Sequence, residues 1–452
     1  MSAPTSLGPR HSATETAPEG TIWAPTRALG RAILVCGVLI MLAVILGRLD
    51  LVVLAAPFAV GVAVGLRRRP TREPEVAVEL TQDEAEEGGG FSIALQTSNR
   101  DTVPYDLAVS RLTFSSWLDI RRGDRPYVTE LGGGLTSQVD LRATAQRWGH
   151  QDIGPAIGYA VACDGLMLST MVMTSGVVVR VHPAVPPFRA DETMPRSSAL
   201  VGVHRSRRSG EGGELAGVRR FGPGDRLRRV DWRVTLRTRE LHVAHTLSDR
   251  DAEVVVLLDV LHEAGESGGV NGSASVVDTS VRAAAAITEH YLRQGDRVAL
   301  LEFSGFPRHL RMAGGRRHLR AALEWLLYTR TTEGAGDPPV FGIDPYLIPS
   351  SALVVVLTPL LGNQSAEMIA TIARAGRSVV AVDTLGPLAN RPVIGSQWTA
   401  VAQRLWRLER ENLIGQLREV GVPVTAWAGA GSLDQVLHDM VRMAAAPRIG
   451  VR

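Results

Sequence analysis

The densest group of chemically distinctive residues lies between positions 219 and 243. Arginine side chains crowd this segment, and each carries a planar guanidinium that binds carboxylates or phosphates through paired hydrogen bonds. The run Pro-Gly-Asp at 223–225 is typical of a tight loop, because proline fixes one backbone angle and glycine accepts a positive φ. Asp231 is placed to hold an arginine, and the adjacent Trp232 is large enough to anchor a small core. The segment predicts a structural clamp or a surface for a binding partner.

Catalytic signatures are missing from the sequence. It contains no lysine, which excludes Walker A phosphate loops, pyridoxal enzymes that use a Schiff base, and Ser-Lys hydrolases. It also contains no HExxH motif and no CxxC pair. His242 and His245 are three residues apart, which places them on opposite faces of a strand and favours ordinary surface residues over a metal site. We therefore predict a protein that is not an enzyme and has no catalytic residues; an unrecognised hydrolase of the cell envelope is the weakest alternative.

Composition narrows the class of partner. The chain has 452 residues, 45% of them hydrophobic, which is enough for several folded domains. Its formal net charge of +3 is small for this length, so the sequence does not indicate nucleic acid binding. The two cysteines, Cys36 and Cys163, cannot form a disulfide framework, and a reducing compartment is expected.

Two apolar runs near the start of the chain predict a membrane anchor. Residues 1–26 have the composition of a disordered tail, and the runs at 28–47 and 51–66 are each close to the length that crosses a bilayer. A buried pair of soluble helices is the alternative. Arginines flank both ends of the pair, whereas the turn between the runs has only Arg48 beside Asp50. We expect a multi-pass protein of the cell membrane, with two transmembrane helices within 27–69 and both termini in the cytoplasm.

The rest of the chain shows two different patterns of apolar residues. Apolar and polar residues alternate in short runs within 70–185, which favours a small β-sandwich. A basic linker loop is predicted at 186–218, with its mobile part at 196–213, and the arginine-rich segment occupies 219–247. Within 252–446, continuous apolar strands alternate with helical patterns, which predicts an α/β domain with a doubly wound parallel sheet. Its ligand sites are expected where strands end, as at Asp259, Thr358 and Asp383.

The arginine-rich segment resembles the hallmark of the bacterial domain-of-unknown-function-58 family. The resemblance rests on the order Arg-x-Phe-x-Pro-Gly-Asp-x-x-Arg-x-Val-Asp-Trp beginning at Arg219, followed by Arg239 and Leu241-x-Val243. A weaker similarity lies upstream at 147–166. The resemblance implies a von Willebrand factor A-like domain after the hallmark, two preceding membrane helices, and association with MoxR-type AAA+ ATPases.

The resemblance also raises the question of a metal. A von Willebrand factor A domain usually holds a divalent cation with Asp-x-Ser-x-Ser after its first strand, but here Leu261 and Glu263 stand in the serine places and only Asp259 is kept. Glu263 and either Thr331 or Thr332 are the remaining candidate ligands beside Asp259. A hard cation such as magnesium binds weakly when oxygen ligands are lost, so we expect the site to be empty and the protein to use no cofactor.

These observations lead to one expected function and one alternative. The expected function is a membrane-anchored cytoplasmic scaffold that binds a protein, by resemblance a MoxR-type AAA+ ATPase, in assembly or maturation of another complex. The alternative is a metal-dependent adhesion or receptor module with a degenerate site at Asp259. The residues expected to bind the partner or to fix the hallmark are Arg219, Pro223, Gly224, Asp225, Arg228, Asp231, Trp232 and Arg239.

Overall fold

The computed structural model describes most of the chain as mixed α/β structure in two compact units. The described residues are 23–185, 209–222, 230–247, 253–331, 343–386 and 397–427. The first unit is Met1–His182 and the second is Pro183–Arg452. Each unit has its own sheets.

The first unit combines two apolar helices with largely antiparallel β-structure. In chain order its elements are β1 (Trp23–Pro25), α1 (Arg27–Leu46), α2 (Asp50–Arg67), β2 (Glu75–Leu80), β3 (Glu84–Glu86), β4 (Gly90–Ser98), β5 (Tyr105–Phe114), β6 (Leu118–Ile120), β7 (Tyr127–Leu131), β8 (Thr136–Ala145), β9 (Gly149–Ala162), β10 (Met167–Ser169), β11 (Val172–Met173) and β12 (Val177–His182). Both helices are long and apolar enough to cross a membrane. Most of their side chains are exposed, as with Val44 at 78% and Val53 at 72%.

The β-structure of this unit consists of two sheets that share one hydrophobic core. One sheet has the strand order β2-β4-β8-β6, and the other is built around β9, which pairs with β5, β10, β11 and β12. Along β4 every second residue is buried, so Phe91, Ile93 and Leu95 point into the core while their neighbours point outwards. The second sheet fills the same core with Ile153 and Val179, among others.

The segment before α1 is part of the β-structure. Trp23 is only 3% exposed, lies 5.6 Å from the ring of Tyr105, and pairs with Ser169 across β1 and β10. Thr26 donates from its backbone nitrogen to Leu166 O at 2.9 Å. The predicted disordered tail at 1–26 therefore needs a correction at its end: 1–22 lie outside the described residues, but 23–26 are ordered because the buried indole and these hydrogen bonds hold them.

The segment after α2 is held by a single carboxylate. Asp101 Oδ2 accepts hydrogen bonds from the backbone nitrogens of Thr71 at 2.6 Å and Arg72 at 2.9 Å, and Oδ1 accepts from Val103 N at 3.1 Å. Burial alone would raise the pKa of Asp101, but the hydrogen bonds donated by these backbone amides outweigh it and lower the pKa below its ordinary value. Asp101 thus fixes the exit of the helical pair on the same β-structure that holds its start.

The second unit alternates strands and helices. In chain order its elements are β13 (Ser209–Arg220), α3 (Trp232–Thr238), β14 (His242–Leu247), β15 (Glu253–Asp259), α4 (Val276–Arg293), β16 (Arg297–Phe303), β17 (His309–Ala313), α5 (Gly315–Leu327), a 3₁₀ turn (Pro345–Leu347), β18 (Leu353–Thr358), α6 (Asn363–Arg374), β19 (Ser378–Asp383), α7 (Gln397–Glu419) and β20 (Val424–Ala426). The pattern of residues 433–444 predicts a further helix, and these residues lie outside the described part of the chain.

The main sheet of this unit has the order β17-β16-β15-β18-β19-β20. Strands β16, β15, β18, β19 and β20 run parallel to one another. Strand β17 pairs antiparallel with β16 and forms an edge that the sequence did not predict. The odd-numbered residues of β15, such as Val255 and Leu257, share a core with α6 and with Leu417 of α7. Helix α4 packs on β15, β16 and β18 and also contacts α5. The carboxyl ends of β15, β18 and β19 therefore meet at one rim.

We predict that Asp101→Ala lowers the free energy of unfolding of the first unit by about 2–3 kcal/mol, because backbone donors near Thr71 and Val103 lose a charged acceptor. Chemical unfolding in detergent, followed by tryptophan fluorescence, measures the change. Asp124→Ala, at an exposed carboxylate, is the matched control. Because the folded pKa of Asp101 is lowered, its stabilisation is complete above the ordinary value of 3.8 and is lost as the pH falls below it. A stability difference that stays constant into strong acid would contradict this role.

Candidate functional site

The hallmark segment folds as a β-hairpin that encloses a short helix. Strands β13 and β14 pair antiparallel, with Arg219 opposite Val243 and Arg220 opposite His242. Val230 forms an isolated bridge to Val243, so the chain returns to β14 before the helix begins. The predicted basic loop at 196–213 differs at its end, because the residues from Ser209 already belong to β13. The hallmark residues Pro223, Gly224, Asp225 and Arg228 lie outside the described residues.

Asp231 begins helix α3. Its Oδ1 accepts hydrogen bonds from the backbone nitrogens of Arg233 at 3.0 Å and Val234 at 3.2 Å, which makes it the N-cap. Its own backbone nitrogen donates to His242 O at 2.9 Å. Sequence reasoning expected Asp231 to hold an arginine. A carboxylate directly before a helix instead satisfies the free N–H groups of the first turn.

The far end of α3 is tied back to β14. The backbone nitrogen of His242 donates to Thr235 Oγ1 at 3.0 Å, and His242 Nδ1 lies 2.8 Å from Glu240 O. Arg239 ends the helix with a φ of 57°, in the left-handed region. Glu240 Oε2 lies 2.9 Å from Arg220 Nε, which joins the end of the helix to β13. The helix is therefore held at both ends although it has only seven residues.

The side of α3 that is not tied down is apolar and basic. Trp232 is 62% exposed and Leu236 is 79% exposed, and a spacing of four residues places them on one helical face. Arg233 and Arg237 are exposed beside them. The prediction that Trp232 anchors a small core is wrong, because the cap at Asp231 places the indole at the first helical position, where it faces outwards.

A second group of residues, which we term the rim cluster, lies where the parallel strands end. It comprises Asp259, Thr358, Ser365, Asp383 and Arg410, all of them buried. Thr358 Oγ1 donates to Asp259 Oδ2 at 2.6 Å, and Leu261 N donates to Oδ1 at 3.3 Å. Burial raises the pKa of Asp259, although hydrogen bonds from Ser365, Thr358 and Leu261 act in the opposite direction. The three strand ends named by the sequence are thus brought together.

Among the rim residues, sequence reasoning missed Ser365 and also Arg410. Arg410 Nη2 lies 2.5 Å from Asp383 Oδ1, and its Nε and Nη2 both donate to Pro359 O at 3.2 Å. One side chain of α7 therefore binds the ends of β18 and β19 together. A signal existed: Arg410 falls on the same helical face as Leu417, seven residues later, which packs in the core.

The candidate metal ligands have other contacts in the structure. Asp259 accepts the hydrogen bond from Thr358, and Glu263 Oε1 accepts one from the backbone nitrogen of Val277 at 3.2 Å. Thr332 lies outside the described residues. Asp259 and Glu263 carry the carboxylate oxygens that a hard cation prefers. The expectation that this site is empty stays a prediction.

Comparisons with known proteins support the sequence resemblance. Residues 217–396 match the model of the family described as "Protein of unknown function DUF58", which confirms the predicted resemblance over that segment. Relatives named "Uncharacterized protein" in Mycobacterium bovis and Mycobacterium tuberculosis are 29% identical over 194 residues, which is 42% of this chain. The chain spans 60% of the length of these relatives.

Similar solved structures cover a smaller part of the chain. A segment of Escherichia coli alpha-2-macroglobulin aligns with 25% of this chain and 17% of its own, at 21% identity and a TM-score of 0.21. A cohesin module from Clostridium perfringens aligns with 25% of this chain and all of its own length, at 16% identity and a TM-score of 0.18.

We predict that Arg410→Met lowers the free energy of unfolding of the second unit by about 3–5 kcal/mol, because the Asp383 carboxylate stays buried without its cation. Replacing both partners, as Arg410→Met with Asp383→Leu, should recover most of this loss, since no buried charge remains. Urea unfolding of the full chain in detergent measures both variants, and Arg374→Met, an exposed arginine at the end of α6, is the control. Equal loss in the single and double variants would show that the pair is not coupled.

Proposed function

We propose, from the match of residues 217–396 to the DUF58 family, that this chain is a membrane-anchored cytoplasmic scaffold that binds another protein through its hallmark helix. The observation that carries the proposal is the pair of exposed apolar side chains, Trp232 and Leu236, on a helix fixed at both ends. The proposed partner, by resemblance to that family, is a MoxR-type AAA+ ATPase, acting with this chain in assembly or maturation of another complex.

The chemistry of α3 favours a protein partner with an apolar groove and an acidic rim. Tryptophan and arginine are the residues that most often dominate binding energy at protein interfaces, and a tryptophan that is already ordered loses little conformational entropy on binding. Arg233 and Arg237 flank the apolar pair and would attract carboxylates. The cap at Asp231 and the contacts of His242 fix the helix before a partner arrives.

A binding role rather than a catalytic one is supported by the rim cluster. Asp259 is hydrogen-bonded by Thr358, and Asp383 is paired with Arg410, so these buried groups bind each other. We interpret the second unit as a doubly wound von Willebrand factor A-like domain. This interpretation is supported by the five parallel strands of the main sheet, β15, β16, β18, β19 and β20, and by the helices packed on them. We interpret the two sheets of the first unit as a β-sandwich, which is supported by their shared core.

The proposed anchor is the helical pair α1 and α2. Both ends of this pair are attached to the same β-structure, through Trp23 and Thr26 before α1 and through Asp101 after α2. A pair whose two ends are held together must enter and leave the membrane on one side. The arginines at positions 67–69 are exposed at that end, which favours the cytoplasmic side.

We predict that Trp232→Ala and Leu236→Ala each weaken capture of the MoxR-type ATPase by about tenfold or more, since either change removes an apolar contact from the centre of the surface. The tagged full chain is purified from native membranes in mild detergent, and the ATPase is quantified by mass spectrometry. Tyr346→Ala, at a 90% exposed aromatic residue of the same unit, is the matched control. Undiminished recovery of the ATPase with both α3 variants would overturn the proposed docking surface.

For the orientation, we predict opposite labelling of two single cysteines in a chain with Cys36→Ser and Cys163→Ser. Arg48→Cys, between the helices, should react with a membrane-impermeant maleimide added to intact cells, because the turn lies outside. Glu130→Cys, on the exposed surface of the first unit, should react only after permeabilisation. Reaction of Glu130→Cys in intact cells would place the folded units outside the membrane and would exclude a cytoplasmic scaffold.

A further inference from the structure

Helix α7 carries an apolar stripe on its outer surface. Trp398 is 72% exposed, Val401 48%, Leu405 56% and Leu408 56%. Their spacings of three, four and three residues follow the heptad pattern by which two helices pack together. At a rise of about 1.5 Å per residue, the stripe extends over roughly 15 Å. The apolar residues of the C-terminal helical patterns predict packing on the sheet, and for Leu408 this prediction is wrong.

The opposite face of the same helix is already occupied. Leu413 and Leu417 pack in the core, and Arg410 is 9% exposed and bound to Asp383. At about 100° per residue, the centre of the stripe lies roughly 160° around the helix from Arg410. Turning the stripe inwards would break the buried ion pair, so the fold holds four apolar side chains outwards.

The charges beside the stripe indicate what covers it. If Trp398 and Leu405 take the first heptad position and Val401 and Leu408 the fourth, Arg404 and Glu409 occupy the flanking positions. Both side chains are exposed, and among the described residues neither makes an ion pair. In two parallel helices, a residue at one flanking position faces the residue five places further along the other helix. Arg404 of one copy then faces Glu409 of the other, twice in a symmetric pair.

We propose that α7 pairs in parallel with α7 of a second copy of this chain, so that the protein is a homodimer. An antiparallel pair centred on the stripe would place Arg404 opposite Arg404, so the charges favour the parallel arrangement. Two heptads are short for an isolated coiled coil. Attachment of both copies to one bilayer raises their effective concentration, and this one step rests on the proposed anchor.

The pairing is tested by cross-linking in native membranes. In a background of Cys36→Ser and Cys163→Ser, Leu408→Cys should form a disulfide-linked dimer on mild oxidation, because equivalent fourth positions meet in a parallel pair. Tyr346→Cys, exposed in the same unit, is the control for random collision. A yield no greater than that of Tyr346→Cys would overturn the proposal, as would a disulfide that forms only between Trp398→Cys and Leu408→Cys chains, since that result indicates antiparallel helices.

Charge exchange tests the identity of the partner more sharply. In the Leu408→Cys background, Arg404→Glu or Glu409→Arg alone should lower the dimer yield by about fivefold, since two favourable pairs become two repulsive ones. The double variant with both exchanges should restore the yield. Failure of the double variant to recover would contradict the assigned register.

Two measurements on the same membranes, the disulfide yield and the amount of bound ATPase, distinguish pairing through α7 from docking of the ATPase. Trp232→Ala should leave the disulfide yield unchanged, whereas Arg404→Glu should leave the ATPase bound. Loss of dimer in the Trp232→Ala chain would show that the copies meet through α3 instead, and that outcome would overturn pairing through α7.

Discussion

The buried ion pair between Arg410 and Asp383 fixes helix α7 at the carboxyl edge of the main sheet of the second unit. A buried guanidinium is tolerated only when its donors are bound. Arg410 is 9% exposed, and its donors bind a carboxylate and the carbonyl of Pro359. Because these acceptors follow two neighbouring strands, one side chain sets both the position of α7 and its rotation. Leu417 then completes the inner face in the core, and the apolar outer face of α7 is a direct consequence.

In the rest of the rim, buried polar side chains also bind one another across neighbouring elements. Thr358 accepts a hydrogen bond from Leu360 N at 3.1 Å while it donates to Asp259, so a hydroxyl links the ends of two strands. Burial raises the pKa of Asp259, while the hydrogen bonds donated by Thr358 and Leu261 act against that shift. Ser280 Oγ of helix α4 donates a hydrogen bond to Thr384 Oγ1 at 3.2 Å, which links this helix to the residue after β19. Contacts of this kind make the carboxyl edge of the sheet a rigid base for the helices.

Several features could be predicted from the sequence because a single physical signal dominates them. The continuous apolar run before Asp259 indicated a buried strand, and the largely apolar run at 297–303 likewise coincides with the observed strand β16. Features set by tertiary contacts were missed. Strand β17 is short and only partly buried, and α3 is too short to be stable without its cap. Arg410 was missed because an arginine in an exposed-looking helix gives no sign of its partner, which lies in another strand. The hallmark indicated the resemblance to the DUF58 family but not the exposure of Trp232.

The order of Asp231 and Trp232 in the hallmark has a physical reason. A helix of seven residues is unstable in isolation, so its first turn needs an acceptor, which Asp231 supplies, and its last turn needs a fixed end. The residue after an N-cap is the first of the helix and has no preceding turn to pack against. Trp232 at that position is therefore oriented by the backbone rather than by a core, and the left-handed Arg239 ends the helix where Glu240 can reach Arg220. An aspartate followed directly by a tryptophan thus both forms the helix and presents its aromatic side chain.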